Sequence, residues 1–177
     1  MNRYLFVIDY QNDFVDGALG FPGAEKLDEK IAAKVRAYGK GNVLFTRDTH
    51  FENYMDTREG KNLPVPHCIK GSFGWEVYGE TAKALAVVEA KAIDKLVFVM
   101  DVAAPATAAV LPESADEIEL VGLVSNICVV SNAVVLQSKY PDATIIVDAA
   151  STDSFDKGLN EKVLDGLAGF QVKVTNR

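Results

Sequence analysis

The chain has 177 residues, 49% of them apolar and 24% charged, the proportions of a globular protein with a sizeable core. A net charge of −7 and a pI near 4.8 argue against a nucleic-acid face or an anionic membrane surface as partner. The apolar run Leu5–Ile8 is too short for a signal peptide, and no stretch nears the roughly 18 apolar residues of a membrane helix, so the expectation is a cytoplasmic protein with a single domain over residues 1–177.

In chain order, Tyr4 to Ile8 predicts a buried parallel strand that ends at Asp9. Pro22-Gly23 marks a turn, and Leu27, Ile31 and Val35 give helical spacing over 24–38. Val43 to Thr46 reads as a second strand. The polar stretch 48–74, broken at Pro64, Pro66 and Gly71, reads as a long loop, and a loop of that length in a compact domain is usually functional or disordered. A helix over 80–91 and a strand over 96–100 follow. Then come a strand over 118–121, a helix over 126–139, a strand over 144–147, a helix over 157–168 and a last strand over 172–174.

Strand and helix alternate. This predicts an α/β fold, a three-layer sandwich with a central, mostly parallel sheet and helices on both faces. Ligands of such sheets sit beyond the carboxyl ends of the strands. Asp9, Asp48, Ser125 to Cys128 and Asp148 all follow predicted strands and are expected on that edge.

Cys128 is one of two cysteines, placed where a strand turns into a helix. Unpaired N–H groups and the helix dipole there favour a thiolate and can hold an oxyanion, yet a free cysteine can equally be a small buried apolar residue. Asp9 is either a proton acceptor for a thiol or a turn acid. Lys95 is either a snorkelling edge residue or a buried cation paired with a carboxylate. The only two histidines, His50 and His67, share the long loop with Asp48 and Glu59. Imidazole and carboxylate together suit zinc, manganese or iron, although loop histidines are also ordinary surface residues. Cys68, beside His67, reads as a packed thiol.

Five motifs, in order, resemble the isochorismatase-like cysteine hydrolases and, within them, the nicotinamidases. They are Asp9-Tyr10-Gln11-Asn12-Asp13-Phe14, Asp48-Thr49-His50, Pro66-His67 before Gly71-Ser72-Phe73-Gly74, Asp94-Lys95-Leu96-Val97-Phe98, and Gly122 to Val129 around Cys128. Ser125-Asn126 stands where the family carries Thr-Asp. The family places its lysine at the end of a strand, whereas the apolar run 96–100 places Lys95 at the start of one.

The resemblance implies catalysis by Asp9, Lys95 and Cys128 and an oxyanion held by the N–H groups of Val124 and Cys128. It also implies a non-proline cis peptide between Val124 and Ser125. Phe14 becomes an aromatic wall for the substrate. Asp48, His50, Glu59 and His67 become ligands of a divalent metal, with zinc first and manganese or iron as alternatives. Trp75 is expected in the core or an oligomer contact. The implied reaction is hydrolysis of a small-molecule amide, nicotinamide foremost, by a homo-oligomer. Another small amide or a ureido or carbamoyl compound is the nearest alternative. A true isochorismatase lacks the nucleophilic cysteine, and a phosphoacceptor signalling domain explains neither Cys128 nor the histidines. A fold-retaining binding protein without turnover is the remaining rival.

Overall fold

A computed structural model describes residues Met1–Arg177. The strands are β1 (Arg3–Ile8), β2 (Val43–Asp48), β3 (Lys91–Lys95), β4 (Glu117–Leu123), β5 (Thr144–Asp153) and β6 (Lys173–Thr175). The helices are α1 (Asn12–Val15), α2 (Asp28–Tyr38), α3 (Arg58–Asn62), α4 (Gly79–Val87), α5 (Pro105–Ala108), α6 (Val130–Lys139) and α7 (Lys157–Gly166). The strands form one sheet in the order β3-β2-β1-β4-β5-β6, every neighbouring pair parallel. No helix is long and apolar enough to cross a membrane.

The continuous apolar runs of the central strands follow from burial on both faces. In β1, Phe6 and Ile8 pack with Leu136 of α6 and Leu164 of α7, while Leu5 and Val7 pack with Ile31 and Val35 of α2 and Leu85 of α4. Successive side chains of a strand point to opposite faces, so one apolar run feeds two cores and the three layers follow. From β1 the chain winds outward to β2 and β3, then crosses to β4 and winds the other way. That reversal opens a crevice between the carboxyl ends of β1 and β4.

Several elements differ from the sequence expectation. The apolar run 96–100 is not a strand: β3 ends at Lys95, paired with Asp48, and Leu96, Val97 and Phe98 are exposed in a loop. The reason is position. An edge strand with a single neighbour needs few apolar residues, and β3 buries only Ile93 and Lys95. The helical stretch from Ala24 opens with a 3₁₀ turn before α2 begins at Asp28, and the one expected from Asn126 opens with a π-helical turn over Ser125–Val129. Asp148 lies inside β5, not after a strand, because β5 runs on to Asp153 past a shift in its register with β4. The long polar stretch after β2 contains α3 and two 3₁₀ turns.

Candidate active site

Asp9, first residue after β1, has φ of 43°, a left-handed conformation rarely held by a non-glycine residue and enriched where function demands it. Thr46 of β2 supports it twice: its Oγ1 donates to Asp9 Oδ1 at 2.6 Å and accepts from the Asp9 N–H at 3.1 Å. Lys95, at the end of β3, extends beneath these two strand ends and is fully buried. Its Nζ lies 2.7 Å from Asp9 Oδ2, 3.2 Å from Asp48 Oδ1 and 3.7 Å from Cys128 Sγ, and it donates to the Val97 carbonyl at 3.2 Å. A carboxylate, an ammonium and a sulfur from three separate parts of the chain therefore meet at one point.

The charges of this group are interdependent. Burial pushes the Cys128 thiol well above its ordinary value, while the Lys95 charge pulls it down. Burial also raises the Asp9 carboxyl, opposed by Lys95. For Lys95, burial alone would depress the ammonium, but Asp9, Cys128 and Asp48 outweigh it and hold the cation charged. A buried base next to a buried thiol, bridged by a fixed cation, can pass a proton without bulk water.

Beside it lies a second cluster. Ligand atoms of Asp48, His50, Glu59 and His67 all fall within 4.8 Å of one another. His50 Nε2 is 2.9 Å from Asp48 Oδ2 and 3.7 Å from Glu59 Oε1; His67 Nε2 is 3.5 and 3.8 Å from the same two oxygens. Donors bound at about 2.0–2.2 Å around one ion stand roughly 3–3.6 Å apart, so the four can close on a metal with little movement. His67 Nδ1 donates to the Val65 carbonyl at 2.8 Å, a second hydrogen bond that aims Nε2 inward at Asp48 and Glu59. Burial would raise the Asp48 carboxyl, but hydrogen bonds from His50 and His67 overcome it and hold Asp48 ionised; Glu59 is raised, first by burial and then by Asp48. Two carboxylates facing each other with two imidazoles form a donor set that a divalent cation fits.

Over both clusters stands a cavity of about 420 Å³, lined mainly by apolar side chains with Asp48, Glu59, His67 and Cys128 among them. Phe14 forms one wall and meets the His67 ring edge-on at 5.5 Å between centroids. Val124 also lines the cavity, whereas Ser125 is buried and donates from Oγ to Asn160 Oδ1 at 2.6 Å. The cis peptide lies between Leu123 and Val124, one bond before the expected Val124–Ser125. β4 stays paired with β5 through Leu123, and the cis bond is the first one beyond that pairing. Asp148 is not at this site; Lys34, Ser151 and Asn176 hold it instead. Cys68 is a buried free thiol, and Trp75 is buried, donating Nε1 to Thr49 Oγ1 at 2.9 Å under the Arg47 guanidinium.

Three supporting residues had no role assigned from the sequence. Gln11 brackets Asp48, accepting from its N–H at 2.7 Å and donating to its carbonyl at 2.9 Å. Asp13 accepts the Cys68 N–H at 2.7 Å, next to His67, and sits so close to Gly74 that a Cβ there would strike its carboxylate at 2.1 Å. Asn132 donates to the carbonyls of Cys128 and Phe98 and accepts the Met100 N–H, tying the loop after Lys95 to the Cys128 turn. The signal was present for Asn132: a polar residue one helical turn beyond Cys128, on a face otherwise buried.

Residues 3–176 match the isochorismatase domain. This chain belongs to the isochorismatase family. No curated protein sequence matches it. Among solved structures, the nicotinamidase/pyrazinamidase from Bacillus subtilis superposes with a TM-score of 0.85 at 26% identity, over 98% of this chain and 99% of that one. The pyrazinamidase/nicotinamidase from Streptococcus mutans gives 0.80 at 24% identity, over 97% and 99%. The pyrazinamidase of Pyrococcus horikoshii in complex with zinc gives 0.77 at 21%, over 100% of both chains. Family membership and these neighbours describe an isochorismatase-like hydrolase with the α/β fold of that family.

Proposed function

We propose that this isochorismatase-family protein is a cysteine amidohydrolase that converts nicotinamide to nicotinate and ammonia through a thioester. The observation that carries the reading is Lys95 Nζ held 2.7 Å from Asp9 and 3.7 Å from Cys128 Sγ, below an apolar cavity wide enough for an aromatic ring.

Asp9 takes the proton of Cys128, and Lys95 holds both negative groups while it moves. The sulfur attacks the amide carbonyl, forming a C–S bond. The oxyanion rests on the N–H groups of Val124 and Cys128, both residues of the cavity wall. Asp9 returns the proton to the amide nitrogen, the C–N bond breaks and ammonia leaves. Asp9 then takes a proton from a water that attacks the thioester, and the thiol is regenerated as nicotinate departs. Phe14 supplies a flat wall for the ring. Asp48, His50, Glu59 and His67 would hold a divalent ion, zinc foremost and manganese or iron as alternatives, which when bound supplies a Lewis-acid contact for a ring nitrogen. Hydrolysis of another small amide or of a ureido compound would use the same thiol; the four-donor cluster favours the nicotinamide reading.

The test is ammonia release from nicotinamide, with metal content measured on the same preparation. About one divalent ion per chain and loss of release in Cys128→Ala are expected, and a chelator should lower both activity and thermal stability. Wild-type turnover in the Cys128→Ala protein overturns the mechanism, and activity without any metal removes the role of the four donors.

A further inference from the structure

The cavity over Cys128 holds more than a single ring bearing a carboxamide. At about 420 Å³ it lies within the roughly 300–1,000 Å³ range that buries drug-sized ligands. Of its polar groups, Asp48, His67 and Cys128 are almost inaccessible and Glu59 is partly buried. Its mouth is apolar, and Leu63, Phe98 and Phe155 there are 37%, 49% and 60% exposed.

These three, with Leu19, come from four separate segments: the ends of α3 and β3, the turn before α7, and the loop after α1. Independent loops do not converge apolar side chains on one opening without cost in water, and such a patch marks a contact surface. Three of these segments are anchored. The Leu63 carbonyl accepts from Tyr54 Oη at 2.9 Å, the Phe98 carbonyl accepts from Asn132 at 3.1 Å, and the Phe155 ring meets Phe21 edge-on. Because the opening is continuous with the space above Cys128, its occupant is the far end of whatever molecule presents its carbonyl to the sulfur. No lysine or arginine lines the cavity, so nothing at its mouth would pair an anionic far end.

We infer that Leu19, Leu63, Phe98 and Phe155 form a subsite for an apolar substituent, and that the preferred substrate is an aromatic ring amide carrying an alkyl or aryl group remote from its carboxamide. This rests on the amidase reading above and narrows it.

The experiment compares kcat/KM, by ammonia release, for nicotinamide and for nicotinamides bearing a methyl, ethyl, phenyl or carboxylate group on a ring carbon away from the amide. Each added methylene is expected to raise kcat/KM about fourfold, equivalent to ~0.8 kcal/mol per buried CH₂. The carboxylate analogue should fall at least about tenfold below nicotinamide, as an unpaired anion in an apolar wall must. In the Leu63→Ser, Phe155→Ser double variant the ethyl-to-nicotinamide ratio should drop towards one. Hydrolysis of nicotinamide with no gain along the series, or a ratio unchanged in the double variant, overturns the subsite and leaves the amidase reading standing. If no amide in the series releases ammonia, the amidase reading fails and the subsite falls with it.

Discussion

Lys95 is the residue on which the site turns. It is a cation enclosed among Asp9, Asp48 and Cys128, with its charge maintained by the groups it serves. Removing one member of a buried ion pair leaves an uncompensated charge, which typically costs about 3–5 kcal/mol. Lys95→Met should therefore lose that order of stability in urea unfolding and lose ammonia release as well. Adding Asp9→Asn to Lys95→Met removes the nearer of the two carboxylates left without their cation, so the double variant should regain part of the stability but not the activity. Equal instability of the single and double variants would show that Asp9 and Lys95 are not the coupled pair the structure describes. Read alone, Lys95 allowed two meanings, snorkelling or pairing. What decides between them is β2, which brings Asp48 opposite Lys95, and no local pattern around residue 95 records that neighbour.

At the scale of elements, β1, β2 and β4 were legible because strands buried on both faces are mostly apolar. The edge strand was not, since β3 needs only alternate burial and the apolar run that imitated a strand turned out to be a loop with an exposed rim. The end of β4 carries the tightest backbone constraint. Gly122 has φ of 107°, and a Cβ there would stand 2.1 Å from the Ile8 carbonyl oxygen. Gly23 has φ of 100° with nothing within 4 Å of its Cβ position. Both substitutions to Ala meet the left-handed penalty of about 1–2 kcal/mol, but only Gly122→Ala adds a clash with β1. Thermal unfolding should show Gly122→Ala well below Gly23→Ala, with activity falling alongside because the strand leads straight into Val124 and Cys128. Similar melting temperatures for the two would mean β4 can shift away from β1 without loss.

Across the whole molecule, a second buried charge group lies away from the site and ties α2, β4, β5 and the carboxyl-terminal segment together. Asp148 Oδ2 stands 3.0 Å from Lys34 Nζ and accepts from Ser151 at 2.7 Å, while Oδ1 accepts from Asn176 at 2.9 Å; Lys34 also reaches Glu119. Burial alone would raise the Asp148 carboxyl, but these hydrogen bonds and Lys34 overcome it and hold the group below its usual 3.8. A carboxyl with a depressed value in the folded state adds stability above its unfolded value, and that stability is lost as pH falls through the folded value. The difference between wild type and Asp148→Asn in chemical unfolding should be about 1–3 kcal/mol at neutral pH and shrink in acid below pH ~3.8. A difference that stays constant through acid would mean the carboxylate charge contributes nothing there. Asp9 and Glu59, both raised, titrate in the opposite sense, so the comparison of variants and not the wild-type slope isolates Asp148.

The sequence by itself determined the alternation of strand and helix and the placing of Asp9, Asp48 and Cys128 at the carboxyl edge of a parallel sheet. Both follow from local rules, since hydrophobic period and turn chemistry are written residue by residue. Family resemblance grouped Asp9, Lys95 and Cys128, but tertiary structure alone decided that the Lys95 ammonium also reaches Asp48, so that it lies between two carboxylates and a sulfur. It also decided that His50 and His67 turn their Nε2 atoms towards Glu59, and that Leu63, Phe98 and Phe155 gather at one mouth. Those relations depend on strand order and loop packing, which bring together residues that share no stretch of chain.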